Sequence, residues 1–161
     1  MTPDLRGQLI ARYRAGHAAL VEALRGIGPQ ELDWRPGPDE WSAREIVHHV
    51  ADADTLAAAR LRRILTEADP PIPAYDEQVL ARRLRYRERP IEPALRAIEA
   101  LRATAAELLA GLTEAEWARA GTHSELGRYS AERWLEFNAT HAQDHAAQIG
   151  QTRAAWAAPG R

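Results

Sequence analysis

The 161-residue sequence is long enough for one domain with a real hydrophobic core. Apolar residues make up 45% and charged residues 27%, which excludes general disorder, and a net charge of −2 gives no electrostatic basis for nucleic-acid binding. The chain has no cysteine, which excludes disulfides, thiolate metal ligands and a cysteine nucleophile.

The N-terminus, Met1-Thr2-Pro3-Asp4, lacks the basic-then-apolar plan of a signal peptide, and no apolar run is long enough to span a bilayer. The expected compartment is the cytoplasm, with no membrane partner. The first predicted helix covers about residues 3–25. Leu5, Leu9, Tyr13, Gly16, Leu20, Leu24 and Ile27 step by three or four along one apolar stripe. Thr2 caps it, Pro3 suits its first position, and Gly26 and Gly28 end it.

The second helix covers about residues 43–67. Ser42 and Glu45 form a capping box, and Trp41 with Ile46 forms a hydrophobic staple across it. Ile46, Val50, Ala53, Ala57, Leu61 and Ile64 make its stripe, and Asp69-Pro70-Pro71-Ile72-Pro73 stops it. The run Arg82-Arg83-Leu84-Arg85-Tyr86-Arg87 that follows reads as a solvated loop or helix face. A third helix, about residues 91–110, has the stripe Ile91, Leu95, Ile98, Leu101, Ala105, Leu108 and Leu112. A fourth, about residues 131–153, is capped by Ser130 and carries Trp134, Phe137, Asn138, His141, His145, Gln148, Ile149 and Thr152 on one side. Trp134, Phe137 and Asn138 are expected in the core, with pocket lining as the alternative.

The turns Pro29-Gln30-Glu31-Leu32-Asp33-Trp34 and Thr113-Glu114-Ala115-Glu116-Trp117 resemble each other. Each precedes an aromatic-Ser-Ala step, Trp41-Ser42-Ala43 and Tyr129-Ser130-Ala131. Two helix–turn–helix units joined by the long segment 69–90 predict a single all-α domain over 1–161. The expected fold is a four-helix bundle in up-down-down-up order with a long crossover between helices two and three.

Six histidines are present, and position separates them. His141 and His145 are four apart, so both point the same way, and they lie on the apolar stripe. Two imidazoles aimed into a core are costly unless a metal, buried waters or a carboxylate uses their nitrogens. His48 and His49 point about 100° apart; His49 falls about 60° from Ile64 and turns inward, while His48 falls about 160° away and faces solvent or a partner. Height supports the grouping. His49 lies about 10 Å from the start of its helix and His145 about 22 Å from the start of one roughly 35 Å long, so they meet only if the helices are antiparallel. His17 reads as a half-buried structural histidine, and His123 as a loop residue or a rim residue of the site. Three neutral imidazoles with open positions are a usual catalytic set for Zn²⁺, and Ni²⁺ and Fe²⁺ accept the same donors.

The segment Trp41-Ser42-Ala43-Arg44-Glu45-Ile46-Val47-His48-His49-Val50-Ala51-Asp52 resembles the second-helix motif of the DinB-like, or YfiT-like, superfamily of metal-binding four-helix bundles. His141-Ala142-Gln143-Asp144-His145-Ala146-Ala147-Gln148-Ile149 is similar to its H-x-x-x-H-x-x-Q-I segment, and Ser124-Glu125-Leu126-Gly127 fits the loop before helix four. The resemblance covers nearly the whole chain. It implies one divalent metal ion, most often Zn²⁺ or Ni²⁺, on His49, His141 and His145, and frequent homodimers. It also implies, in some branches, enzymes that use a low-molecular-weight thiol such as bacillithiol or mycothiol.

The expected function is therefore a metal-dependent enzyme of the thiol S-transferase or hydrolase type acting on a small molecule. The alternative is a non-catalytic, stress-associated metal-binding or interaction bundle; an enzyme needs a pocket that reaches the metal, and a structural site is closed. Asp52, one turn after His49, is placed to orient it or accept a proton, or else is a solvent-facing acid. Gln148, one turn beyond His145 on the same face, is placed to hydrogen-bond a ligand or a water next to it. Asp144 points off the stripe toward a surface salt bridge. No residue stands out as a general base.

Overall fold

A computed structural model describes residues 1–158; the last three residues of the expected domain lie outside that range. Helix α1 (Pro3–Ala23) starts where Thr2 Oγ1 accepts the Leu5 N–H at 3.3 Å. A short helix, α2 (Pro29–Asp33), leads to α3 (Ala43–Thr66). The capping box at its start is complete: Ser42 Oγ accepts the Glu45 N–H, and Glu45 Oε2 accepts the Ser42 N–H at 3.0 Å. Arg35 lies 2.6 Å from the other carboxylate oxygen of Glu45, which compensates the charge of a side chain only 3% exposed. Trp41 and Ile46 are buried in one apolar cluster, as the staple requires.

The crossover is not a bare loop. It holds strand β1 (Pro71–Ile72), helix α4 (Glu77–Arg83) and a 3-10 turn at Tyr86–Glu88. The arginines of its basic run are exposed, as expected, but Tyr86 among them is fully buried. Helix α5 (Ile91–Ala110) follows, then the short α6 (Glu114–Trp117) and the hairpin of β2 (Ala120–His123) and β3 (Gly127–Ser130). β1 pairs parallel with β2 and β2 antiparallel with β3, so Ile72 lies opposite His123. This small sheet is absent from the sequence-based expectation. It depends on Gly121, where a Cβ would strike the Pro70 carbonyl.

The last bundle helix is broken, not continuous. α7 (Ala131–Asn138) and α8 (His141–Trp156) are separated at Ala139 and Thr140. The Asn138 amide donates to the Trp134 carbonyl at 2.7 Å, a side-chain bond of the kind that competes with the backbone ladder and bends it, and Thr140 Oγ1 donates to the Asp144 carboxylate at 2.8 Å across the start of α8.

Two buried clusters give the directions of the helices. One joins the end of α1 (Leu20, Leu24), the starts of α3 and α5 (Val47, Ile91) and the later part of α8 (Ile149). The other joins Tyr13 of α1, the ends of α3 and α5 (Ile64, Leu109) and Trp134 of α7. The order is up-down-down-up, the expected four-helix bundle. α1 packs on α5 and α8, and α3 packs on the same two, so α1 and α3 lie diagonally. Among the described residues no helix is long and apolar enough to cross a membrane.

The stripe of α5 is rotated from its expected position. Ile91, Ala94, Ile98, Arg102, Ala105 and Leu109 are buried, while Leu108 is 39% exposed. Arg102 is the reason. Its guanidinium, 1% exposed, makes a bidentate pair with Asp54 of α3 at 2.6 and 2.8 Å and donates to the Tyr13 carbonyl of α1 at 2.8 Å. One side chain ties three helices, and a stripe counted from apolar residues passes beside it. Gly16 of α1 sits against this pair; a Cβ there would run into the guanidinium and the Ala142 methyl. At the other end of the α1 stripe, Leu5 is 44% exposed.

Candidate metal centre

Because α3 and α8 are antiparallel, His49 meets His141 and His145. Their ring centroids are 4.7 Å (His49–His145), 5.4 Å (His49–His141) and 4.6 Å (His141–His145) apart, and one nitrogen from each falls within 4.8 Å of the others. His49 is buried, with Trp41 against its ring at 4.6 Å; His141 and His145 are half-buried. His141 opens α8 directly after the break, and His145 lies one turn on.

Gln148, expected to hydrogen-bond a ligand or a water, meets His145 itself. Its Oε1 lies 2.8 Å from His145 Nδ1, so that nitrogen carries the proton and Nε2 keeps its lone pair. Nε2 lies 3.2 Å from His141 Nε2. A tetrahedron of metal–nitrogen bonds of 2.0–2.1 Å has an edge of about 3.3 Å, so the two nitrogens are already spaced for a shared cation. Without one, a single proton between them satisfies the pair. His141 Nδ1 is buried with no hydrogen-bond partner among the described residues, so His145 is the better-supported of the two.

The electrostatics keep the rings neutral, the state in which imidazole is a ligand. Burial, then the neighbouring imidazoles, pushes His49 down to about 3. Burial and His145 push His141 down to about 4. Burial also lowers His145, opposed by Gln148 and by the charge of Glu77 at the start of α4. Glu77 belongs to the crossover, and nothing in its local sequence signals that its charge acts on His145.

Several residues fall elsewhere than expected. His48 does not face solvent: it is 2% exposed, its ring stacks on Tyr86 at 5.6 Å, and its Nε2 lies 3.2 Å from the Arg89 carbonyl. The crossover covers the face of α3 opposite the core. Asp52 accepts the Tyr86 hydroxyl at 2.6 Å and is not grouped with the triad. Asp144 is exposed and takes the Thr140 hydroxyl, and it makes no salt bridge among the described residues. His17, by contrast, is half-buried as expected.

A cavity of about 170 Å³ opens beside His141. Phe137 and Asn138, expected in the core, line it, and Phe137 is 47% exposed. His123 lines it too, brought there by the hairpin. A larger groove of about 1070 Å³ lies between α1 and α5, and no histidine of the triad touches it, so size alone does not mark the site.

The DinB superfamily model matches residues 12–149 of this chain. A protein of Oceanobacillus iheyensis named "Putative metal-dependent hydrolase" is 34% identical over 130 residues, covering 81% of this chain and 75% of its own. A protein of Geobacillus kaustophilus with the same description is 30% identical over 148 residues, covering 89% and 82%. Among solved structures, YfiT from Bacillus subtilis, described as "a probable metal-dependent hydrolase with an unusual four-helix bundle topology", matches with a TM-score of 0.88. It is 24% identical, covering 94% of this chain and 87% of that one, a likeness that establishes the fold.

Proposed function

Because the chain belongs to the DinB superfamily, we propose that His49, His141 and His145 hold one divalent metal ion and that the protein is a metal-dependent hydrolase of a small molecule. The observation that carries the reading is the convergence of three imidazole nitrogens within 4.8 Å, with one of the three, His141, lining a cavity. A purely structural site has no need of that opening. Zn²⁺ and Ni²⁺ are among the ions that suit an all-imidazole set. When bound, such an ion supplies a Lewis acid and a water-derived nucleophile near neutral pH.

The chain's own residues prepare the site. Gln148 fixes the tautomer and orientation of His145. Trp41 packs on His49 and limits the positions its ring can take. The break before α8 sets His141 at the cavity wall.

Elemental analysis of untagged protein, beside His49→Ala and His145→Ala, tests the proposal. The expected result is about one equivalent of Zn²⁺ or Ni²⁺ in the parent, lost in both variants. A metal-free parent, after reconstitution as well, would sink the proposal. Metal-loaded protein is then assayed against esters and amides, and against electrophiles with low-molecular-weight thiols. Turnover confined to the second panel would replace hydrolysis by S-transfer.

A further inference from the structure

His123 ends β2 and is 7% exposed. Its Nδ1 accepts two backbone N–H groups of the hairpin loop, from Glu125 at 3.1 Å and Leu126 at 3.3 Å. A ring nitrogen that accepts such bonds holds its lone pair, so the proton of the neutral ring sits on Nε2. That N–H has no protein acceptor among the described residues, and the ring lines the cavity beside His141. The loop fixes the tautomer and leaves the donor unused.

Arg60 lines the same cavity. Its guanidinium stacks over Tyr75 at 5.1 Å and donates to the Pro73 carbonyl, yet it forms no ion pair among the described residues. No aspartate or glutamate lines the cavity. Of the three carboxylates whose charge reaches Tyr75, Asp54 is held by Arg102 and Asp52 by the Tyr86 hydroxyl, leaving Glu77. The rim is apolar: Leu126 (51% exposed), Phe137 (47%) and Tyr75 (38%) are three of the eight large apolar side chains exposed among the described residues, and all three border this opening. A free donor and an unpaired cation under an apolar lip are complementary to an anion carried on an apolar body.

We propose that this cavity binds the carboxylate of a small substrate, with His123 Nε2–H and Arg60 as its donors and Leu126, Phe137 and Tyr75 against its apolar part. The subsite depends on the hydrolase reading for its place in a reaction, and on its own residues for binding. At about 170 Å³ it takes one substrate group, smaller than the usual 300–1,000 Å³ of a pocket for a whole drug-sized ligand.

NMR titration with benzoate and its neutral isostere benzamide tests this on metal-free and zinc-loaded untagged protein. The expected result is a preference for benzoate of about tenfold or more on the metal-free protein, lost in His123→Phe and in Arg60→Met. Arg60→Met leaves the loop bonds of His123 intact, so it answers the question if His123→Phe unfolds. Equal affinity for the two probes, or an undiminished preference in a folded variant, would overturn the subsite. Benzoate binding seen only with zinc, and abolished by His145→Ala, would place the anion on the ion; the subsite would fall and the metal reading would stand. A preference for benzoate in a protein that takes up no metal would uphold the subsite and remove the hydrolase reading.

Discussion

His145 is held from one side by Gln148 and offers its other nitrogen toward His141. Removing the acceptor frees the ring to rotate and to change tautomer. Gln148→Leu is expected to lower metal affinity by about 10–100-fold, with Gln148→Glu, which keeps an acceptor, closer to the parent. Competition with a chromophoric chelator measures this, and unchanged helicity separates it from misfolding. His49 adds a pH signature to the metal-free protein. Its folded value near 3 lies below the ordinary 6.5, so between those values the unfolded chain binds the extra proton. Stability is full above about pH 6.5 and falls as the pH drops toward 3; His141, lowered to about 4, acts in the same direction. Calorimetry after chelation should show a lower Tm at pH 5 than at pH 7, with a shallower fall in His49→Leu; a flat parent profile would contradict it. The inward direction of His49 was legible because the stripe of α3 fixes that face. His48 was not, because a helical wheel sees only the helix's own pattern, and what covers His48 is Tyr86 and Arg89, about forty residues later in the chain.

Long helices announce their ends through local chemistry. The Ser42 box, Pro3 and the Arg89-Pro90 step place α1, α3 and α5 within a residue or two of their observed limits. The break between α7 and α8 has no proline or glycine to mark it, and strands of two and four residues are too short to show alternation. The buried Arg102 escaped for a further reason: an apolar count skips the one polar residue at the centre of the stripe. Its energetic role is testable. Arg102→Met leaves Asp54 buried and unpaired and should cost about 3–5 kcal/mol in urea unfolding, whereas Arg102→Met with Asp54→Leu should recover most of that loss. Equal destabilisation by the single and double variants would show that the pair's packing, not its charge, holds the three helices.

At the scale of the molecule, the up-down-down-up order was readable from one long connection and two resembling short ones, and the heights of His49 and His145 agreed with it. The cavity beside the triad was not, because it is built by a hairpin, a crossover and a helix break that come together only in three dimensions. The diagonal placement of α1 and α3 also governs how the chain reaches its native state. Both partners of α1 lie far along the sequence, so the first two long helices cannot form a stable hairpin by themselves. An isolated fragment 1–68 should show little helix by circular dichroism and gain it on mixing with 69–161. During synthesis α1 must wait for α5 and α8, leaving its apolar stripe uncovered until most of the chain has left the ribosome, a window in which collapse onto the wrong partner competes with folding.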